Sequence, residues 1–326
     1  MTPPVICVRD LRKVYTVSQQ VAGAVAALQG LVRRHKVEIP AVDSISFDIA
    51  PGEILGFLGP NGAGKTTTLK MLSGLLHPTS GEATVLGYTP SKREPAFLRQ
   101  ITFVMGQRNQ LIWDISPLHT FELNRVIYHI APEDYRHTLD ELTELLDLGA
   151  LLHKPVRNLS LGERMKCEIA AALLHRPKVV FLDEPTIGLD VTMQRRIRTF
   201  IADYNQRFGA TVLLTSHYMV DVESLCRRVI VIHHGKLFFD GELATLVQKF
   251  TSHKTIVVQI GECQADLKAY GEVLSCEDGR YTLRVPKAET AHITERLLAE
   301  LPVIDLLVED LPIEEVIEQV FAQGNI

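Results

Sequence analysis

Apolar residues recur along this chain at two periods, and the switches between them outline its elements. Short apolar runs suited to buried strands cover residues 53–58, 101–105, 178–182 and 211–215. Weaker strand signals fall at 5–8, at 83–86 and at 44–49, where apolar and polar positions alternate as a half-exposed strand requires. Helical spacing takes over at 67–76, where Leu69, Leu72, Leu75 and Leu76 form one stripe, and again at 118–130, 135–148, 162–175 and 192–208. A block of helices between about 117 and 176 thus interrupts an otherwise alternating α/β chain. Residues 228–232 and 236–239 predict a hairpin around His233, His234 and Gly235, and the two histidines, on opposite faces of a strand, read as turn residues and not as a metal pair. Past about 245, strand patterns at 255–260 and 281–285 and helical ones at 288–301 and 313–321 predict a small α+β appendage.

Residues 18–38 stand apart from this alternation. Val21, Val25, Leu28 and Val32 recur at helical spacing, with Arg33, Arg34, His35 and Lys36 bunched at the end. Two readings are open: a basic amphipathic helix that touches a membrane surface or a partner, or an insertion packed on its own domain with a solvated basic end.

Composition narrows the class. At 46% apolar content the 326 residues support a sizeable core, yet no run approaches the roughly 18 apolar residues of a membrane span. Met1, Thr2, Pro3 and Pro4 do not form a basic region followed by an apolar stretch, so neither a secretory signal nor a bilayer crossing is expected. A net charge of -5 and a pI of about 6.2 leave no basic footprint for a general nucleic-acid surface. Cysteines at 7, 167, 226, 263 and 276 have no C-x-x-C spacing and read as reduced thiols of a cytosolic chain, with Cys167 a packing residue. Trp113 reads either as core packing of the helical block or as a partner contact.

The stretch Gly59-Pro60-Asn61-Gly62-Ala63-Gly64-Lys65-Thr66 fits G-x-x-x-x-G-K-[ST], and its flanks are the strand before and the helix after that the pattern requires. The glycines let successive backbone N–H groups point inward, and the helix adds its positive end, so a polyphosphate fits the concavity. Lys65 would reach the β and γ phosphates, and the Thr66 hydroxyl would take a place on Mg²⁺. At the end of the 178–182 run, Asp183 and Glu184 sit where open α/β sheets put their chemistry. In such a site the first carboxylate holds Mg²⁺ through water and the second polarises an attacking water.

Walker A at 59–66, the signature Leu159-Ser160-Leu161-Gly162-Glu163, Walker B at 179–183 with Glu184 next, the D-loop Gly188-Leu189-Asp190 and the switch histidine His217 together resemble the ATP-binding subunits of ABC transporters. Gln107 matches the Q-loop and Tyr15 the aromatic that stacks on adenine, and the order and spacing agree over about the first 243 residues. The resemblance implies an α/β P-loop NTPase, with a RecA-like core, an antiparallel β subdomain and an inserted helical subdomain at about 108–176, all within an ABC ATPase domain at 1–243. A small C-terminal α+β accessory domain at 244–326 would follow. It implies ATP and Mg²⁺ as ligands, with Glu184, His217, Gln107 and Lys65 catalytic. Nucleotide contacts would come from Tyr15, Gly59, Pro60, Asn61, Gly62, Ala63, Gly64, Lys65, Thr66, Thr67, Ser160, Gly162 and Asp190, and metal contacts from Thr66, Gln107 and Asp183.

Ser160 precedes a helix whose Met165, Ile169, Ala172 and Leu173 share a face, so its hydroxyl and the first free N–H groups form an anion site. The family arrangement is a head-to-tail dimer in which each signature helix caps the γ-phosphate held by the other subunit. Two positions depart from the family pattern: Leu161 stands for a glycine and Glu163 for glutamine. A carboxylate there repels phosphate unless it points to the ribose or to a basic neighbour such as Arg164. The insertion at 18–38, residues 107–111 and the C-terminal domain look most like ATPases of multidrug or viologen-type exporters whose permeases are separate polypeptides. The resemblance therefore implies a motor subunit, as a homodimer or paired with a second ATPase, peripheral on the cytoplasmic face of the membrane through its permeases, and without nucleic-acid partners. The alternative is a soluble ABC-type ATPase acting on ribosomes or DNA, which the single cassette, the absence of a sustained heptad and the acidic balance disfavour.

Overall fold

Two five-residue strands, 179–183 and 211–215, apolar inside and buried at every position, form the centre of a parallel sheet. In this computed structural model residues 3–18, 36–106, 110–250, 253–261, 267–277, 279–310 and 315–317 are described. The chain divides into two compact units, Met1–Gly241 and Glu242–Ile326.

In the first unit, β3 (Ile54–Leu58), β5 (Ile101–Met105), β6 (Val179–Asp183), β7 (Thr211–Thr215), β8 (Arg228–His233) and β9 (Lys236–Glu242) form a sheet in the order β5-β6-β7-β3-β8-β9. The pairs from β5 through β8 are parallel, and β6 and β7 are buried at every position, which is why they read as continuous apolar runs. Because β7 alone separates β3 from β6, the loop after β3 and the carboxylates after β6 emerge side by side at the same edge. A second sheet, antiparallel in the order β2-β1-β4, is built from β1 (Ile6–Ser18), β2 (Lys36–Ile49) and β4 (Ser80–Val85). Its Ile6, Val8, Ile45, Phe47 and Ile49 share one core cluster with Phe57, Phe181 and Leu213 of the parallel sheet.

Helices α1 (Lys65–Leu72), α2 (Pro95–Leu98), α3 (Pro117–Ile127), α4 (Pro132–Leu146), α5 (Leu161–Leu173), α6 (Val191–Phe208) and α7 (Met219–Leu225) complete the unit. Three of the predicted boundaries move for physical reasons. β1 continues past residue 8 because bulges near Arg9 and Leu11 absorb the polar residues that break its alternation. Residues 36–38, placed by their spacing in the insertion, are the start of β2, while 19–35 lie outside the described residues. α1 stops at Leu72, before Leu75 and Leu76, because Gly74 takes a left-handed φ of 75°.

The second unit opens with α8 (Leu243–Phe250). An antiparallel sheet, ordered β11-β12-β10-β13, comprises β10 (His253–Ile260), β11 (Glu272–Glu277), β12 (Arg280–Pro286) and β13 (Val303–Asp310). α9 (Thr290–Glu300) contributes Ile293 and Leu297 to a core with Ile256, Val258, Leu283 and Val285. Of the helix predicted at 313–321, only 315–317 are described, and these are helical. Among the described residues no helix is long and apolar enough to cross a membrane.

Candidate functional site

The 59–66 loop closes on itself through its lysine. Lys65 Nζ donates to the carbonyls of Gly59 at 2.6 Å and Pro60 at 3.2 Å, and Ala63 N–H donates to the Pro60 carbonyl at 3.1 Å. Gly64, at φ 107°, leaves no room for a side chain, since a Cβ there would lie 2.3 Å from the Ala41 carbonyl oxygen. The first intrahelical bond of α1 joins Thr68 N–H to the Gly64 carbonyl at 2.9 Å, so the N–H groups of Lys65, Thr66 and Thr67 precede it. Asn61 and Gly62 lie at the exposed tip of the loop, and nothing lies within 4 Å of a Cβ built on Gly62. Burial pushes the Lys65 ammonium below its ordinary pKa, while the carboxylates of Glu184 and Asp183 act in the opposite direction.

At the end of β6, Asp183 accepts hydrogen bonds from the Thr66 hydroxyl at 2.9 and 3.1 Å and from the Thr215 hydroxyl at 2.8 Å. Thr215, which no motif singles out, ends β7; its hydroxyl and carbonyl oxygens each accept the Glu184 N–H at 3.1 Å. Glu184 has a left-handed φ of 55°, a conformation that costs a residue with a Cβ about 1–2 kcal/mol. That turn swings its side chain to His217, whose Nε2 lies 2.9 Å from Glu184 Oε1. Lys65, Thr66, Asp183, Glu184 and His217 thus form one group. The Thr66 hydroxyl and the Asp183 carboxylate are hard oxygen donors side by side, a set that fits Mg²⁺.

Gly106 packs against this turn. Its N–H donates to the Asp183 carbonyl at 2.9 Å, and a Cβ on it would fall 2.0 Å from the Glu184 carbonyl oxygen. Gln107 follows directly and lies outside the described residues. Gln110 N–H donates to both carboxylate oxygens of Glu168 at 2.8 and 2.9 Å; Leu111 N–H donates to Glu168 as well, at 3.1 Å. Burial raises the Glu168 pKa, against the opposing effect of those amides and of Arg164. Helical periodicity hides Glu168, because α5 is buried from Met165 to Leu173 and has no solvated face there. Its one legible signal was a carboxylate between Met165 and Ala172 and beside Ile169, on the face that periodicity assigns to the core.

A second group gathers at the start of α5. Ser160 is the N-cap: its Oγ accepts the Glu163 N–H at 3.2 Å, and Glu163 Oε2 accepts the Ser160 N–H at 2.8 Å. This reciprocal capping box corrects two expectations. The Glu163 N–H is already satisfied and is not free for an anion, and the carboxylate turns back onto its own helix instead of toward Arg164 or a ribose. The Ser160 backbone N–H holds the Glu163 carboxyl below the usual range. Arg164 instead lies over the Trp113 ring, 4.5 Å from its centroid. Gly162 faces Met193, whose Cγ would sit 2.9 Å from a Cβ on that glycine. Met193 N–H in turn donates to Asp190, the N-cap of α6, at 2.9 Å.

Tyr15 belongs to neither group. It is exposed on β1 opposite Ile39, with Lys13 Nζ 5.6 Å from its ring centroid. His233 and His234 do not point apart, because His234 turns at φ 48° and brings the ring centroids to 4.0 Å. Among the described residues no cluster of three metal-ligating side chains occurs. Cys167 is fully buried and its thiol is pushed up to about 12 by burial, in keeping with packing.

Residues 42–187 match the ABC transporter family, and residues 252–309 match the C-terminal domain of EvrA-like ABC transporters. Over 213 residues the chain is 33% identical to "ABC transporter ATP-binding protein NatA" of Bacillus subtilis, a span covering 65% of this chain and 86% of NatA. It is 34% identical over 226 residues to "Probable multidrug ABC transporter ATP-binding protein YbhF" of Escherichia coli, covering 69% of this chain but only 39% of that longer protein. Among solved structures, a dimeric ATP-binding cassette in a post-hydrolysis state with ADP and Pi superposes with a TM-score of 0.61 over 73% of this chain and 98% of its own, at 23% identity. That likeness is one of fold.

Proposed function

The chain belongs to the ABC transporter ATP-binding proteins, and on that premise we propose that it is the motor of an exporter, pairing head to tail with a second ATPase subunit and driving separate membrane permeases. Residues 1–243 are the ATPase module and 244–326 an accessory domain. The subunit lies peripherally on the cytoplasmic face through its permeases. The likeness to a protein named for multidrug transport supports the export direction.

One observation carries the chemistry: Glu184 paired with His217 beside an Asp183 that Thr66 already contacts. Lys65 and the N–H groups at the start of α1 hold the β and γ phosphates of ATP. Glu184 takes the proton of the attacking water as a new bond forms from water oxygen to the γ-phosphorus and the bond to the ADP oxygen breaks. His217 donates from Nε2 to Glu184 and keeps that carboxylate aimed. Thr66 and Asp183, with Gln107, would hold Mg²⁺, which when bound would neutralise charge on the phosphates. Ser160 of the paired subunit caps the γ-phosphate with its hydroxyl.

Light scattering of the Glu184→Gln protein with ATP tests the pairing. A nucleotide-dependent doubling of mass is expected; a lone subunit with ATP, even when the permease is supplied, overturns it.

A further inference from the structure

Beside the Glu184 turn lies a carboxylate with no part in the chemistry just described. Asp221 stands in the first turn of α7 and is 1% exposed. Its Oδ2 accepts the Thr186 hydroxyl at 2.5 Å and the Ser216 hydroxyl at 2.7 Å, and its Oδ1 accepts Arg198 NH1 at 2.7 Å. Ser216 Oγ, having donated its proton, accepts the Tyr218 N–H at 3.0 Å. Three of the roughly four lone-pair positions of a carboxylate are therefore occupied, by one cation and two hydroxyls. A buried charge with that set of partners is held in a single geometry.

The partners come from three different segments. Thr186 lies two residues after Glu184, Ser216 immediately before His217, and Arg198 on the α6 helix that Asp190 caps. We propose that Asp221 is a positioning residue that clamps these segments to one another, so that the Glu184–His217 pair and the α6 helix keep a fixed relation while ATP is hydrolysed. The inference rests on the roles given above to Glu184 and His217. Asp221, buried among these partners, acts through them and is not itself a reacting group. It sets the backbone on both sides of the pair: the Thr186 bond fixes the chain leaving Glu184, and the Ser216–Tyr218 bond spans His217.

The hydroxyl at 186 allows a test that spares the buried charge. Thr186→Val keeps shape and loses the donor, whereas Thr186→Ser keeps the donor and loses a methyl group. Steady-state ATP hydrolysis by both variants, by Asp221→Asn and by Glu184→Gln is compared with thermal melting. A misplaced reacting group costs on the order of tenfold to a hundredfold in rate. The expected result is a kcat about tenfold or more lower in Thr186→Val and Asp221→Asn, with the KM for ATP unchanged within about twofold, and near-native kcat in Thr186→Ser. Should Asp221→Asn not fold, the Thr186 pair decides alone. Native kinetics in Thr186→Val beside a dead Glu184→Gln overturns the clamp and leaves the site standing. Losses of kcat in Thr186→Val and Thr186→Ser that simply follow their melting temperatures also overturn it, as a packing effect. Retained turnover in Glu184→Gln overturns the site assignment, and the clamp with it.

Discussion

His217 places its Nε2 2.9 Å from Oε1 of Glu184, on a backbone turn that Glu184 adopts at φ 55°. The carboxylate proposed as general base is held there by one directed hydrogen bond and by a strained turn. Glu184→Gln keeps the shape and the hydrogen bond but cannot take a proton, so turnover is expected to fall by about 10² or more while ATP binding persists. Phosphate release in a steady-state assay, alongside equilibrium nucleotide binding, measures both. Near-native release removes Glu184 from the role.

Lys65 donates to loop carbonyls at 2.6 and 3.2 Å, bonds that phosphate oxygens would replace in the proposed ATP complex. Lys65→Ala is expected to weaken ATP binding by about tenfold to a hundredfold, the scale of one charge-assisted hydrogen bond. Titration with a fluorescent nucleotide reads this, and an unchanged Kd counts against the phosphate role of the loop.

Glu163 supplies half of the capping box at Ser160. Glu163→Ala breaks that half and is expected to cost about 1 kcal/mol in a denaturant melt, whereas Glu163→Gln can still accept the Ser160 N–H and should lie within about 0.5 kcal/mol of native. Equal losses in the two variants would mean that the carboxylate charge, and not the hydrogen bond, matters.

His175 stacks on Tyr128 with ring centroids 3.9 Å apart, donates from Nε2 to the Ile101 carbonyl at 3.0 Å and leaves a buried Nδ1 without a partner among the described residues. Burial pushes its pKa down to about 4 from 6.5, against a smaller upward effect of the Ile101 carbonyl. The folded state then binds fewer protons than the unfolded one between those values. The neutral ring is thus no liability above pH 6.5, and stability is lost progressively as pH falls from there toward 4. The whole loss amounts to about 3 kcal/mol at 1.4 kcal/mol per tenfold. His175→Gln should flatten this part of the stability curve; an unchanged slope would place the acid sensitivity elsewhere.

Much of the architecture was legible because it is written in short, local patterns. The runs at 101–105 and 211–215 are strands with those very ends, since short, mostly apolar runs are what a parallel sheet covered on both faces requires. The loop at 59–66 and the carboxylates at 183 and 184 were readable from spacing alone, and the strand order brings them to one edge. What stayed hidden depends on partners distant in sequence. Glu163 looked like a residue facing phosphate, ribose or Arg164, yet its partner is its own N-cap three positions back, and Arg164 is drawn off to Trp113. Glu168 puts a carboxylate on a face where periodicity expects apolar atoms, Asp221 lies in a helix not predicted from the sequence, and only the donors that surround them explain why they are tolerated. The bulges of β1 were equally invisible, because a bulge is fixed by the register of its neighbours.

The absence of a side chain at position 106 has a mechanical meaning. There the peptide that leads into the 107–109 segment rests on the backbone of the Glu184 turn with no atom between them, at a spacing too small even for a methyl group. Two chain segments in bare contact have no slack to take up, so in the proposed assembly a push delivered to the 107–109 end of that seam would reach the Glu184 turn. Alanine at 106 would act as a shim driven into a bearing, separating the lever from the part it turns.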